Sequence, residues 1–171
     1  WTRVRRHVPD ARLVIAPHEP TPSHVVPIER WATETQLGHA RLGSDGAAAA
    51  DVVVVDRVGV LGDLYALATV AFIGGGFHAA GLHSVIEPAA FGAPVIVGPR
   101  WGMSRDAALL LEAGGAAAAP DADAMASQLR EWLTSSAARD AAGESARAIV
   151  RSGIGAADRT VALVVRLLER R

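Results

Sequence analysis

The sequence predicts an α/β fold, a Rossmann-like parallel sheet flanked by helices, formed as a single domain over residues 1–171. Three observations lead there. The short runs Arg12–Ala16 (RLVIA), Asp51–Asp56 (DVVVVD), Val70–Ile73 (VAFI) and Pro94–Val97 (PVIV) are apolar on both faces. They are too short for buried helices and suit strands covered by helices on both sides. Helical patterns alternate with these runs, the order that builds an open parallel sheet. The third run ends in Gly74-Gly75-Gly76, with a helical segment and another strand close behind. That is a β–loop–α–β unit whose helix N-terminus faces a glycine loop, an arrangement that holds an anion, most often a nucleotide phosphate.

The remaining elements follow in order. Val4–His7 ends a helix, and Pro9-Asp10 turns the chain into the first strand. Pro17-His18-Glu19-Pro20 is the loop at that strand's C-terminal end. Ser23 or His24 opens a helix reaching about Leu37, with Pro27 expected in its first turn. Gly38–Ala50 is small and polar, and Gly43-Ser44-Asp45-Gly46 marks an exposed turn. After the valine-rich strand come a loop, Arg57–Gly62, and a short helix, Asp63–Ala68.

Ser84 and Glu87 have the Ser-x-x-Glu spacing of a capping box, which starts the next helix at Ser84. Gly92 and Pro94 close it. Ser104–Ala113 is a helix stopped by Gly114-Gly115, and Ala116–Ala119 a weak edge strand. Asp121 caps a helix with Met125, Leu129, Trp132 and Leu133 on one face. Ala137–Arg151 and Ala156–Leu168 are two further helical segments.

Composition narrows the function. Half of the residues are hydrophobic and 20% are charged, which marks a globular chain. With no cysteine, disulfides and thiolate metal sites are excluded. A formal net charge of -1 leaves no footprint for nucleic acid. No apolar run approaches the roughly 18 residues of a membrane span, and no signal-peptide pattern is visible. Trp1 stands where Met is expected, so the chain reads as a piece of something longer.

The candidate site residues lie in the loops at the strand ends. His18 and Glu19 are held between two prolines directly after a strand, where ligands collect; a locally bonded loop histidine is the plainer reading. Gly59-Val60-Leu61-Gly62 is either a turn or a backbone wall against a flat base. Gly74, Gly75 and Gly76 gain weight as a phosphate loop from the helix that follows. Glu87 either folds back onto the Ser84 N–H or projects into the cleft, where its two oxygens can accept from two adjacent sugar hydroxyls. The second is favoured. His78 and His83 orient the loop rather than bind metal, because no third ligand has useful spacing. Arg100 and Arg105 are each read first as solvated surface residues, the alternative being a partner for a phosphate or carboxylate.

The block Gly81-Leu82-His83-Ser84-Val85-Ile86-Glu87-Pro88-Ala89, with Gly92, Pro94, Val95, Gly98 and Pro99, resembles the C-terminal domain of the Kdo (3-deoxy-D-manno-octulosonic acid) transferases of lipopolysaccharide synthesis. APHEP (Ala16–Pro20) and VGVLGDLYALATVAFIGG (Val58–Gly75) extend the likeness to about residues 11 to 115. Ser84 stands where many members have Asn, and Pro17 precedes His18 where many carry Arg.

The resemblance implies the C-terminal half of a GT-B glycosyltransferase that binds CMP-Kdo for inverting transfer to a lipid A precursor. It also implies that Glu87 takes the ribose hydroxyls, that Ser84 and the helix N-terminus face the phosphate with His18 nearby, and that Gly59, Val60 and Leu61 line the cytosine. No metal and no cofactor are expected. The catalytic base, the acceptor surface, the first strand of this domain and the membrane association are expected in preceding residues. The full-length protein is then expected at the cytoplasmic face of the inner membrane, and these 171 residues alone are expected to be soluble and inactive. The alternatives are the donor domain of another GT-B transferase using a UDP-sugar, and a non-catalytic nucleotide-binding module.

Overall fold

The structure, a computed structural model, describes residues 1–79 and 81–169. The expected parallel strands are present, but as two separate three-stranded sheets rather than one. In the first, β1 (Leu13–Ile15) and β2 (His39–Arg41) flank β3 (Val52–Val54), with Leu13 and His39 both opposite Val52. In the second, β4 (Ala71–Ile73) and β6 (Ala116–Ala118) flank β5 (Val95–Val97), with Ala71 and Ala116 both opposite Val95. All pairings are parallel, so within each sheet the strands end on one side. The helices are α1 (Thr2–Arg5), α2 (Pro22–Glu34), α3 (Leu61–Tyr65), α4 (Ile86–Ala90), α5 (Arg105–Glu112), α6 (Ala122–Thr134), α7 (Ser136–Gly153) and α8 (Ala156–Glu169).

Strand alternation divides the core. Val95 and Val97 face a cluster with Ile73, Val85, Ala89, Leu110 and Ala146. Ile96 points the other way, against Trp132, Ala142, Met125 and Leu129. β5 is thus buried on both faces, as its unbroken apolar sequence requires. Each such side chain contributes on the order of 1.5–3 kcal/mol of apolar burial. In the first sheet, Val52 and Val54 pack with Leu13 and Ile15 under Val25, Ile28, Trp31 and Ala32 of α2. The middle residues of β1 and β4, Val14 and Phe72, are left exposed. Each belongs to a sheet edge.

Three local expectations are corrected. Gly38–Ala50 is not only a turn, because its start forms β2. This strand has no apolar run, and Arg41 ties it to α2 through two bonds to Glu29, at 2.7 and 3.2 Å. That donation holds the Glu29 carboxyl below its ordinary range. Helix α2 begins earlier than expected, at Pro22 after Thr21, so Pro27 falls inside the helix rather than in its first turn. Helix α3 begins at Leu61, not Asp63.

The expected cap at Asp121 is formed, and Ser104 caps α5 in the same way. Asp121 accepts from the N–H groups of Asp123 and Ala124, and Ser104 from that of Ala107. At the opposite end of the first sheet, Asp51 joins three segments. It accepts from Arg5 Nη2 at 2.8 Å and from the Gly38 N–H at 2.9 Å, just before β3. No helix among the described residues is long and apolar enough to cross a membrane.

Candidate functional site

The site is assembled from the loops after β1 and β4. His18 lies three positions beyond the end of β1 and His83 lies just ahead of α4. Their rings stack, with centroids 4.7 Å apart and planes 22° from parallel. His83 is fixed from below. Its N–H donates to the Gly74 carbonyl at 3.2 Å, and its ring lies beside Gly74. The stack therefore joins the carboxyl end of one sheet to that of the other.

The glycine loop owes part of its composition to the chain itself. Gly75 is buried with φ +91°, and a Cβ there would lie 2.0 Å from the Gly81 carbonyl oxygen. A Cβ on Gly76 would lie 2.7 Å from the Gly98 nitrogen. The Gly76 carbonyl also accepts from the Arg100 N–H at 2.9 Å. The triplet thus folds the loop back on itself and docks it on the loop after β5.

The capping box is not formed. Val85, buried at 1% exposure among the core residues, is the N-cap of α4, and no side chain caps it. Counted from Val85, Glu87 is the second helical residue and Pro88 the third. The position a capping glutamate needs is taken by a proline that has no N–H to satisfy. Ser84 is left exposed ahead of the helix. Glu87 is exposed in its first turn, and its carboxylate has no hydrogen-bond partner among the described residues.

One neighbour of that carboxylate was absent from the sequence reading. Helix α3 packs against α4, and Tyr65 lies half-buried against the core that holds Val85 and Ala89. Burial raises the Tyr65 phenol above its ordinary value, and the Glu87 charge raises it further. As the only tyrosine in the chain, at the end of a short helix before the glycine loop, it could have been singled out. Gly59, exposed with φ +84°, leads to Val60, the N-cap of α3, and to Leu61, its first residue.

Each sheet has a concavity beside it. One, of about 320 Å³, is lined by Ile15, Pro27, Ile28 and Trp31 and offers carbon almost throughout. The other, of about 360 Å³, lies between the loops after β4 and β5, lined by His78, Ala79, Gly81, Arg100, Gly102 and Met103. No group of three His, Asp or Glu side chains able to hold a metal ion occurs among the described residues.

No protein-family model matches the chain. In sequence it is 40% identical over 112 residues to the 3-deoxy-D-manno-octulosonic acid transferase of Bordetella pertussis, a match spanning 65% of this chain and 26% of that protein. It is 42% identical over 66 residues to the transferase of the same name from Aquifex aeolicus, spanning 39% of this chain and 19% of that one. The chain thus covers about a quarter or less of the length of these two relatives. In structure it is similar to the C-terminal CMP-Kdo binding domain of WaaA from Acinetobacter baumannii. The TM-score is 0.69 at 18% identity, covering 86% of this chain and 97% of that one.

Proposed function

We propose that this chain, homologous in sequence to Kdo transferases and folded as the C-terminal domain of one, holds the nucleotide-sugar donor of such an enzyme. The donor is CMP-Kdo. The observation that carries the reading is the His18–His83 stack, which brings the APHEP loop and the GLHSVIEPAAFG loop to one place. Glu87, unpartnered among the described residues and outside any cap, takes the two ribose hydroxyls. The Ser84 hydroxyl and His18 face the phosphate. The backbone of Gly59, Val60 and Leu61 lies along the cytosine, while Gly74, Gly75, Gly76 and His83 shape the loop between them.

Hydrogen-bond donors preset at the phosphate stabilise the charge that develops as the nucleotide leaves. The base that takes the acceptor's proton, the lipid A precursor itself and the attachment to the inner membrane are assigned to regions outside these residues. So is a strand that joins β1 to β4. Its support is that each of these is a sheet edge and that the loops following them meet at the histidine stack.

Calorimetric titration with cytidine, uridine and adenosine monophosphates tests the reading. Cytidine monophosphate is expected to bind most tightly, since a site built around the cytosine amino group leaves a polar group unpaired against uracil. Equal binding of the cytidine and uridine nucleotides points to a uridine-sugar enzyme instead.

A further inference from the structure

We infer that the groove lined by His78, Ala79, Gly81, Arg100, Gly102 and Met103 is the subsite for the donor's acidic sugar, with the Arg100 guanidinium on the sugar carboxylate. The inference rests on the donor-site reading above and adds to it the part of the ligand beyond the nucleotide. Its first support is position. The groove lies between the loops that follow two adjacent parallel strands, β4 and β5, on the side where such sheets collect ligands. Gly81 in its wall is two residues before His83 in the chain, so the groove and the histidine stack draw on the same loop.

The second support is charge. Arg100 is exposed, and its side chain has no hydrogen bond or ion pair among the described residues. The Arg100 backbone is nevertheless fixed, because its N–H donates to Gly76 at 2.9 Å. A guanidinium on an anchored backbone is suited to bidentate pairing with a carboxylate.

The third support is the chemistry of the ligand. A 3-deoxy-ulosonic acid carries a carboxylate on the carbon whose bond to the nucleotide breaks, and beside that carbon a methylene in place of a hydroxyl. The groove matches this with one cation beside the carbon surfaces of Ala79 and Met103. Its volume of about 360 Å³ falls within the range of small-ligand pockets, roughly 300–1,000 Å³.

The test is calorimetric titration of the chain and of its Arg100→Gln variant with cytidine monophosphate and, separately, with freshly prepared CMP-Kdo. The unaltered chain is expected to bind the sugar nucleotide roughly tenfold to a hundredfold more tightly than the bare nucleotide. Arg100→Gln is expected to abolish most of that difference and to leave cytidine monophosphate binding within about twofold. Thermal unfolding of the variant checks that the fold is kept. Equal loss of both ligands puts Arg100 on the phosphate and overturns the inference. So does a sugar preference that survives in the variant. If the unaltered chain binds neither ligand, the donor-site reading fails, and this inference with it.

Discussion

His18 and His83 come from different sheets, yet their imidazole rings lie 4.7 Å apart in a stack. Both side chains are exposed, so the stack adds little to global stability and acts mainly on the mutual placement of two loops. His18→Ala and His83→Ala are each expected to weaken cytidine monophosphate binding. The double variant is expected to lose less than the sum, with a coupling of about 0.5–1.5 kcal/mol. Calorimetry on the four proteins measures it. Additive losses would show that the rings act independently.

Tyr65 reports on Glu87. As the chain's only tyrosine, its ionisation can be followed alone by the absorbance of the phenolate. It is expected to titrate above the ordinary tyrosine value, chiefly through burial and secondarily through the Glu87 charge. In Glu87→Gln the titration moves down but not fully back, since burial remains. The sign for stability follows from a native pKa above the unfolded one. The Tyr65 contribution is complete below the ordinary tyrosine pKa and is lost as pH rises through the native value. An unchanged titration in the variant would place the two groups apart.

Gly59 and Gly75 separate backbone strain from crowding. Both have positive φ, but a Cβ at Gly59 meets nothing within 4 Å, whereas at Gly75 it meets a carbonyl oxygen at 2.0 Å. Gly59→Ala is expected to cost about 1–2 kcal/mol, the cost of the left-handed conformation alone. Gly75→Ala is expected to cost more and to displace the His83 loop, read by denaturant unfolding and by nucleotide binding. Similar losses at the two positions would contradict the packing of Gly75 on Gly81.

Asp51 links α1, the segment before β2, and β3. Asp51→Ala leaves the Arg5 guanidinium and the Gly38 N–H without their acceptor, with an expected loss of roughly 1.5–3 kcal/mol in denaturant unfolding. A loss within experimental error would show that water replaces the carboxylate.

Most of the sheet was legible because its strands carry their burial in sequence. β3 and β5 are valine and isoleucine throughout, and both are covered on both faces. β2 was hidden for the opposite reason. HAR has no strand pattern, and its conformation comes from pairing to β3 and from the Arg41–Glu29 bonds. At α4 a local signal was overruled. Ser84 and Glu87 match a capping box, but with Val85 buried in the core the N-cap is Val85 and the first helical residue Ile86. The loops of the site were visible as loops. That His18 meets His83, and that Tyr65 lies near Glu87, depends on how separate elements are set against each other, which no local pattern encodes.

The most direct measurement is the affinity of cytidine monophosphate for the chain and for its Glu87→Gln variant. Glu87 caps nothing in the structure, so the variant should fold as the parent does. If the carboxylate accepts from the ribose hydroxyls, the substitution weakens binding by roughly 1.5–3 kcal/mol, on the order of tenfold to a hundredfold in dissociation constant. Unchanged affinity in a folded Glu87→Gln variant would contradict the placement of the nucleotide at this site.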